Sequence, residues 1–143
     1  MALKIIDYGT IEYQQMIELR NEILRKPLGM LLEGNDIAAD QENILIGAFE
    51  DEKMLGCCML VREGARGVLL RQMAVRNQLQ GKGIGRALME FAETIARDIG
   101  YREISMHART SATGFYEKMG YVTTGDEFLK LSISHVLMVK RIS

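Results

Sequence analysis

Apolar positions recur along this chain with two periods, and the switches between them mark out the elements. Leu3 to Ile6 reads as a short first strand. Thr10 is placed to cap a helix on which Tyr13, Met16, Ile17, Ile23 and Leu24 share one face. Pro27 and Gly29 break that helix, and Met30 to Leu32 begin a short second one. Asn43 to Phe49, Lys53 to Arg62 and Gly67 to Val75 predict three consecutive antiparallel strands, with Glu50-Asp51 and Glu63-Gly64 at the turns. From Gly83 the period lengthens: Ile84, Ala87, Leu88, Phe91, Ile95 and Ile99 mark a helix face that Gly100 closes. Glu93 and Arg97 form an i,i+4 pair on the opposite face. Glu103 to His107 predicts a strand, Ser111 to Met119 a helix stopped by Gly120, and Tyr121 to Phe128 and His135 to Ile142 two last strands. The order is β-α-α-β-β-β-α-β-α-β-β, an α/β (α+β) chain without repeats, linkers or low-complexity tracts.

The 143 residues suit one domain, 1–143, with room for a sizeable core. A net charge of −1 and no basic tract longer than two residues argue against nucleic acid as a partner. No apolar run approaches the roughly 18 residues that span a bilayer, and the N-terminus turns charged too early for a secretory signal. The adjacent Cys57 and Cys58 cannot bridge each other without distortion and read as reduced core thiols, which fits a cytoplasmic protein. With two histidines and no Cys/His cluster, no metal site is expected.

Gln80-Gly-Lys-Gly-Ile-Gly-Arg86 sits between a strand and a long amphipathic helix. Glycines leave backbone N–H groups unshielded, and the helix adds the positive end of its dipole, so the junction suits a phosphate or pyrophosphate. It is not a Walker A loop, since Lys82 is followed by Gly83 and Ile84 rather than by a hydroxyl residue. Nor is it the dinucleotide fingerprint, because Gly81, Gly83 and Gly85 are spaced G-x-G-x-G. An ordinary tight strand-to-helix turn is the bland alternative.

Two motifs narrow the choice. Arg71-Gln-Met-Ala-Val75 followed by Gln80-x-x-Gly83-x-Gly85 resembles motif A of the GNAT superfamily of acyl-CoA N-acyltransferases, [QR]-x-x-G-x-[GA]. Further on, Phe115-Tyr-Glu-Lys-Met-Gly-Tyr121 resembles that family's F-Y-x-K-x-G-[FY]. The resemblance implies a mixed central sheet of about seven strands flanked by about four helices and splayed at an acyl-CoA site. It implies acetyl-CoA as cosubstrate and acetyl transfer to a primary amine of a small molecule, peptide or protein, by direct attack in a ternary complex.

The resemblance also assigns roles. The pyrophosphate would lie on the amides of Gln80, Gly81, Lys82, Gly83, Ile84, Gly85 and Arg86, and Met73, Ala74 and Val75 would pair through backbone with the pantetheine amides. An N–H on this strand would then stabilise the oxyanion. Tyr116 would protonate the leaving thiolate; packing against the core is the alternative for it. Phe115 and Met119 read as core, and Lys118 as surface charge. Where many members carry asparagine this chain has Arg109, which would either meet a phosphate or point to solvent, while Ala112 matches.

The attacking amine must lose a proton, so a base or a water chain is needed. Gly125-Asp-Glu-Phe128 and Ile133-Ser-His-Val-Leu-Met138 partly resemble a bacterial subgroup of the family, which places Glu127 and His135 on the last hairpin near the cleft; His107 is a third candidate. The acceptor cleft would be lined by residues 20–35 and the last hairpin, where Glu33, Asp36 or Asp40 could attract a cationic amine or merely be solvated. The terminal strands could pair across a homodimer. Two other classes compete: a non-catalytic acyl-CoA-binding sensor, and an unrelated nucleotide-binding domain using the same glycines.

Overall fold

The computed structural model describes residues 1–143. The strands are β1 (Ala2–Ile6), β2 (Ile44–Glu50), β3 (Lys53–Glu63), β4 (Gly67–Val75), β5 (Glu103–Arg109), β6 (Val122–Lys130) and β7 (Ile133–Arg141). The helices are α1 (Ile11–Arg20), α2 (Gly34–Ala39), α3 (Ile84–Ile99) and α4 (Thr113–Glu117). All seven strands join one sheet in the order β1-β2-β3-β4-β5-β7-β6. Every neighbouring pair is antiparallel except β4 and β5, which run parallel around the crossover helix α3.

Each face of the sheet carries its own core. On one, α3 buries Leu88, Met89, Ala92 and Ala96 against Ile46, Cys58, Leu60 and Ile104. On the other, Tyr13, Met16 and Leu19 of α1 cover Leu45, Cys57, Met59 and Ala74. Thr10 caps α1 as its position predicts, accepting a 3.1 Å hydrogen bond from the Tyr13 N–H. Alternation along β3 therefore sends Cys57 and Cys58 to opposite cores, both as free thiols.

Several expectations need correcting. The second helix starts at Gly34, not at Met30: Asn21 holds the Leu32 N–H at 2.8 Å, and Glu33 and Asp36 cap the helix reciprocally. Ser111 and Ala112 form a 3₁₀ turn ahead of the shorter α4. The last two strands run on to a tight turn, Leu131-Ser132, with φ +53° and +64°, whose twist matches a hairpin. Phe115 is exposed rather than core. Glu93 keeps Arg97 as a neighbour but is buried: it accepts from the Tyr121 hydroxyl at 3.0 Å and from Lys140 Nζ at 2.9 Å. Asp40 is buried too, taking a 2.7 Å bond from each of Tyr13 and Arg20, so it offers nothing to an acceptor amine.

Candidate active site

β4 and β5 pair only from Gly67–Glu103 to Leu70–Met106, and then part. β4 continues along β3 as far as Val75 opposite Gly56, while β5 continues along β7 as far as Arg109 opposite His135. Past Leu70, then, the edge of β4 that faces β5 presents backbone donors and acceptors with no strand beside them. An extended ligand carrying its own amides can complete such an edge.

A bulge begins where the strands separate. The register of β4 on β3 shifts by one residue between Arg71 opposite Met59 and Ala74 opposite Cys57. Gln72 at φ +57° takes up the extra residue. A left-handed residue at a bulge bends its strand and increases its twist, which turns β4 away from β5. Glutamine carries a strain cost there that a glycine would not.

The gap opens into a cleft of about 480 Å³. Its walls are Leu70 to Met73 on β4, Met106 to Arg109 on β5, Ala112 and Tyr116 around α4, Ile23 to Arg25 after α1, and Lys130, Leu131 and His135 on the last hairpin. Asn77 and Gln80 bring its rim to the glycine loop. The Gln80 side chain ties that loop down, donating to the Val75 carbonyl at 3.1 Å.

In the loop, Gly81 and Gly83 adopt φ +80° and +86°, a conformation that side chains resist. The first helical bond of α3 runs from the Ala87 N–H to the Gly83 carbonyl, so the amides from Gly81 to Arg86 have no backbone acceptor. Six adjacent free N–H groups at the N-terminus of a long helix fit a pyrophosphate without a metal. Gly85 lies beneath Phe115, and a Cβ there would come within 3.4 Å of the ring. That contact joins the two sequence motifs in space and leaves the ring partly open beside the loop.

Tyr116 is buried, edge-on to Phe115 and Tyr121, and its hydroxyl bonds to no protein acceptor. Burial, helped by the Cys58 thiol, pushes its pKa up to about 12, so the phenol is fully protonated at neutral pH. His135 is also buried; its Nδ1 donates to the Ile133 carbonyl at 2.7 Å, and its Nε2 has no protein partner. Its ring stacks on Phe128. His107 lies 3.4 Å from Lys130 Nζ, and burial together with Lys130 lowers its pKa against the pull of Glu63. Glu127 is exposed, outside the cleft lining, and accepts from Ser134 at 3.2 Å.

Tyr116, His135, Arg109, Ala112, Met73 and Gln80 thus share one cleft, with the Gly81–Arg86 loop at its rim. Ala74 and Val75 continue β4 beyond it, and Arg86 is engaged with Glu90 at 3.0 Å. Glu33 and Asp36 do not line the cleft. Three lining cations had no role assigned from the sequence: Arg25, Arg71 and Lys130. They come from three separate elements, and no local spacing links them.

The family model described as "Acetyltransferase (GNAT) domain" matches residues 28–142. The chain belongs to this family. It is similar to the uncharacterized N-acetyltransferase YjcF of Bacillus subtilis, at 28% identity over 123 residues, 85% of this chain and 87% of that one. It also matches the uncharacterized protein YyaT of Bacillus subtilis, at 34% identity over 74 residues, 52% of this chain and 50% of that one. The chain spans about half the length of the first curated relatives it matches. Among solved structures, an aminoglycoside 6'-N-acetyltransferase complexed with coenzyme A shares the fold with TM-score 0.85 at 16% identity, covering 100% of this chain and 98% of that one. Escherichia coli ElaA does so with TM-score 0.81 at 16% identity, covering 98% and 99%. The mixed seven-stranded sheet with four helices is the fold of these proteins.

Proposed function

We propose that residues 1–143 act as one acetyl-CoA-dependent N-acetyltransferase domain working on a primary amine through a ternary complex. The observation that carries this reading is the coincidence of three features at one end of the sheet. These are an unpaired β4 edge, a loop of free amides at the α3 N-terminus, and a protonated tyrosine in the cleft between them. A nucleotide alone would not require the open β4 edge.

Acetyl-CoA supplies an acyl group activated as a thioester. The amides of Gly81 to Arg86 hold its pyrophosphate, with Gln80 fixing the loop to the strand. Met73 to Val75 pair with the pantetheine arm, and a backbone N–H there stabilises negative charge developing on the thioester oxygen. His135 Nε2 takes the proton that the amine gives up as its nitrogen bonds to the acyl carbon. Tyr116 supplies a proton to the sulfur as the carbon–sulfur bond breaks, and solvent restores the phenol. The products are the amide and the free CoA thiol, so atoms and charge balance. Glu127 lies outside the cleft lining, and its part would be to orient the hairpin through Ser134. Arg109, at the end of β5 and lining the cleft, would meet a phosphate or point to solvent.

The test is release of CoA thiol across a panel of amines, run beside Tyr116→Phe. An acceptor-dependent rate that drops about 100-fold in the variant, with CoA affinity kept, supports transfer and its general acid. CoA binding without any acceptor-dependent release, and no effect of the variant, would favour a sensor.

A further inference from the structure

The cleft lining has a one-sided charge. It contains Arg25, Arg71, Arg109 and Lys130 and not one aspartate or glutamate. None of the four has a carboxylate within ion-pair distance, although the chain as a whole is slightly acidic. Arg109 stands at the end of β5. The other three come from the turn after α1, the bulged part of β4 and the tip of the last hairpin, the elements around the acceptor side of the cleft.

Arg25, Arg71 and Lys130 are all only half exposed. Burial and the guanidinium groups of Arg71 and Arg25 lower the Lys130 pKa, which reports mutual proximity. Half-buried cations set together without a counter-ion repel each other and lose solvation. An anion placed among them removes both costs. A polycationic acceptor would add to them.

From this arrangement we propose that the acceptor is a small amine that carries its own anionic group, a carboxylate or a phosphate, bound by Arg71, Lys130 and Arg25. This deepens the acetyltransferase reading and rests on it. Arginine can grip either anion through two parallel bonds, and Lys130 adds a point charge. The same positive field disfavours a protonated amine nearby, so the nucleophile reaches its neutral form more readily. The acetylated product keeps the anion and loses the amine's charge.

The test compares matched amines: O-phosphoethanolamine with ethanolamine, and β-alanine with propylamine, alongside spermidine and an aminoglycoside. Two readouts are taken, CoA release from acetyl-CoA and calorimetric binding of each amine to the CoA-saturated protein. The expected result is selection of the anionic member of at least one pair, the pair itself telling phosphate from carboxylate. Arg71→Gln or Lys130→Gln should erase that preference, weakening the anionic amine by about tenfold to a hundredfold. CoA affinity should stay unchanged, and Arg71→Lys should restore part of the preference. Preference for spermidine or the aminoglycoside overturns the proposal, as does absence of binding by any anionic amine. So does a preference that survives both variants, or a parallel fall in CoA affinity, which would give these cations to the cofactor. Anionic binding that the variants abolish, with no CoA release from any amine, would uphold the anion site and refute the transferase reading instead.

Discussion

The Tyr121 hydroxyl donates a 3.0 Å hydrogen bond to Glu93, a carboxylate buried in the middle of α3. Tyr121 opens the segment that becomes β6, and Lys140 of β7 reaches the other oxygen of Glu93 at 2.9 Å. One acid therefore pins the crossover helix to the last hairpin, whose far end carries Lys130 and His135 into the cleft. Burial and the adjacent carboxylate both push the Tyr121 pKa upward, so it remains a donor at any working pH.

That network predicts non-additive stability effects. Lys140→Met leaves the Glu93 carboxylate buried with a weaker set of partners, and should destabilise the fold by about 1–3 kcal/mol. Glu93→Leu leaves the buried Tyr121 hydroxyl without its acceptor but removes the buried charge, while the part-exposed Lys140 can turn to water. The double variant Glu93→Leu/Lys140→Met should therefore be more stable than Lys140→Met by itself. Urea unfolding of the parent, both single variants and the double variant checks the order, and an additive result would deny the coupling.

These residues also show what was legible in the sequence. The Gln80–Arg86 loop and its helix could be read because a loop-to-helix junction is built from neighbours in the chain. Tyr116 followed from a motif on one short helix. Glu93 misled because helical period alone places it on the solvent side, while its partners lie 28 and 47 residues away. Arg20, at the end of α1, was missed for the same reason, its partner Asp40 lying across the α1–α2 connection. The bulge at Gln72 had no sequence sign, since the residue in the left-handed position is not the expected glycine. The cationic lining of the cleft is likewise a product of three-dimensional assembly.

The pair Arg20–Asp40 carries its own prediction. Both side chains are almost wholly buried, and Arg20 Nε has no partner. Arg20→Met strands the Asp40 carboxylate with only Tyr13, and should cost about 3–5 kcal/mol. Arg20→Met combined with Asp40→Leu should recover much of that loss. A single variant as stable as the parent in chemical denaturation would show the pair to be dispensable.

The glycine loop predicts a separable effect on the cofactor. Gly83→Val forces a β-branched side chain into φ +86°, where no neighbour blocks it but the backbone resists. The loop should shift and its amides lose their convergence, weakening CoA by at least about tenfold. Acceptor binding to the α1 side of the cleft should be little changed. Calorimetry with CoA gives the answer, and an unaltered affinity would remove the loop from the phosphate site.

Alkaline pH should unfold this protein through groups that the fold keeps protonated. Burial raises the Cys57 thiol from 9.0 to about 12 and the Tyr116 phenol from 10.0 to about 12, and lifts Cys58 well above its ordinary value. The folded state therefore holds protons that the unfolded chain releases. Their stabilising contribution is fully present below about pH 9 and is lost as pH rises towards 12. The melting temperature should be flat between pH 7 and 8.5 and then fall by at least about 5 °C by pH 10.5. Below pH 9 the two thiols should also resist iodoacetamide in the native protein and react together in guanidinium, because only the thiolate attacks and burial suppresses it. Mass spectrometry after a timed exposure at pH 8 distinguishes the cases. Alkylation of either cysteine without denaturant would mean that its side of the sheet opens far more readily than its packing against α1 or α3 implies.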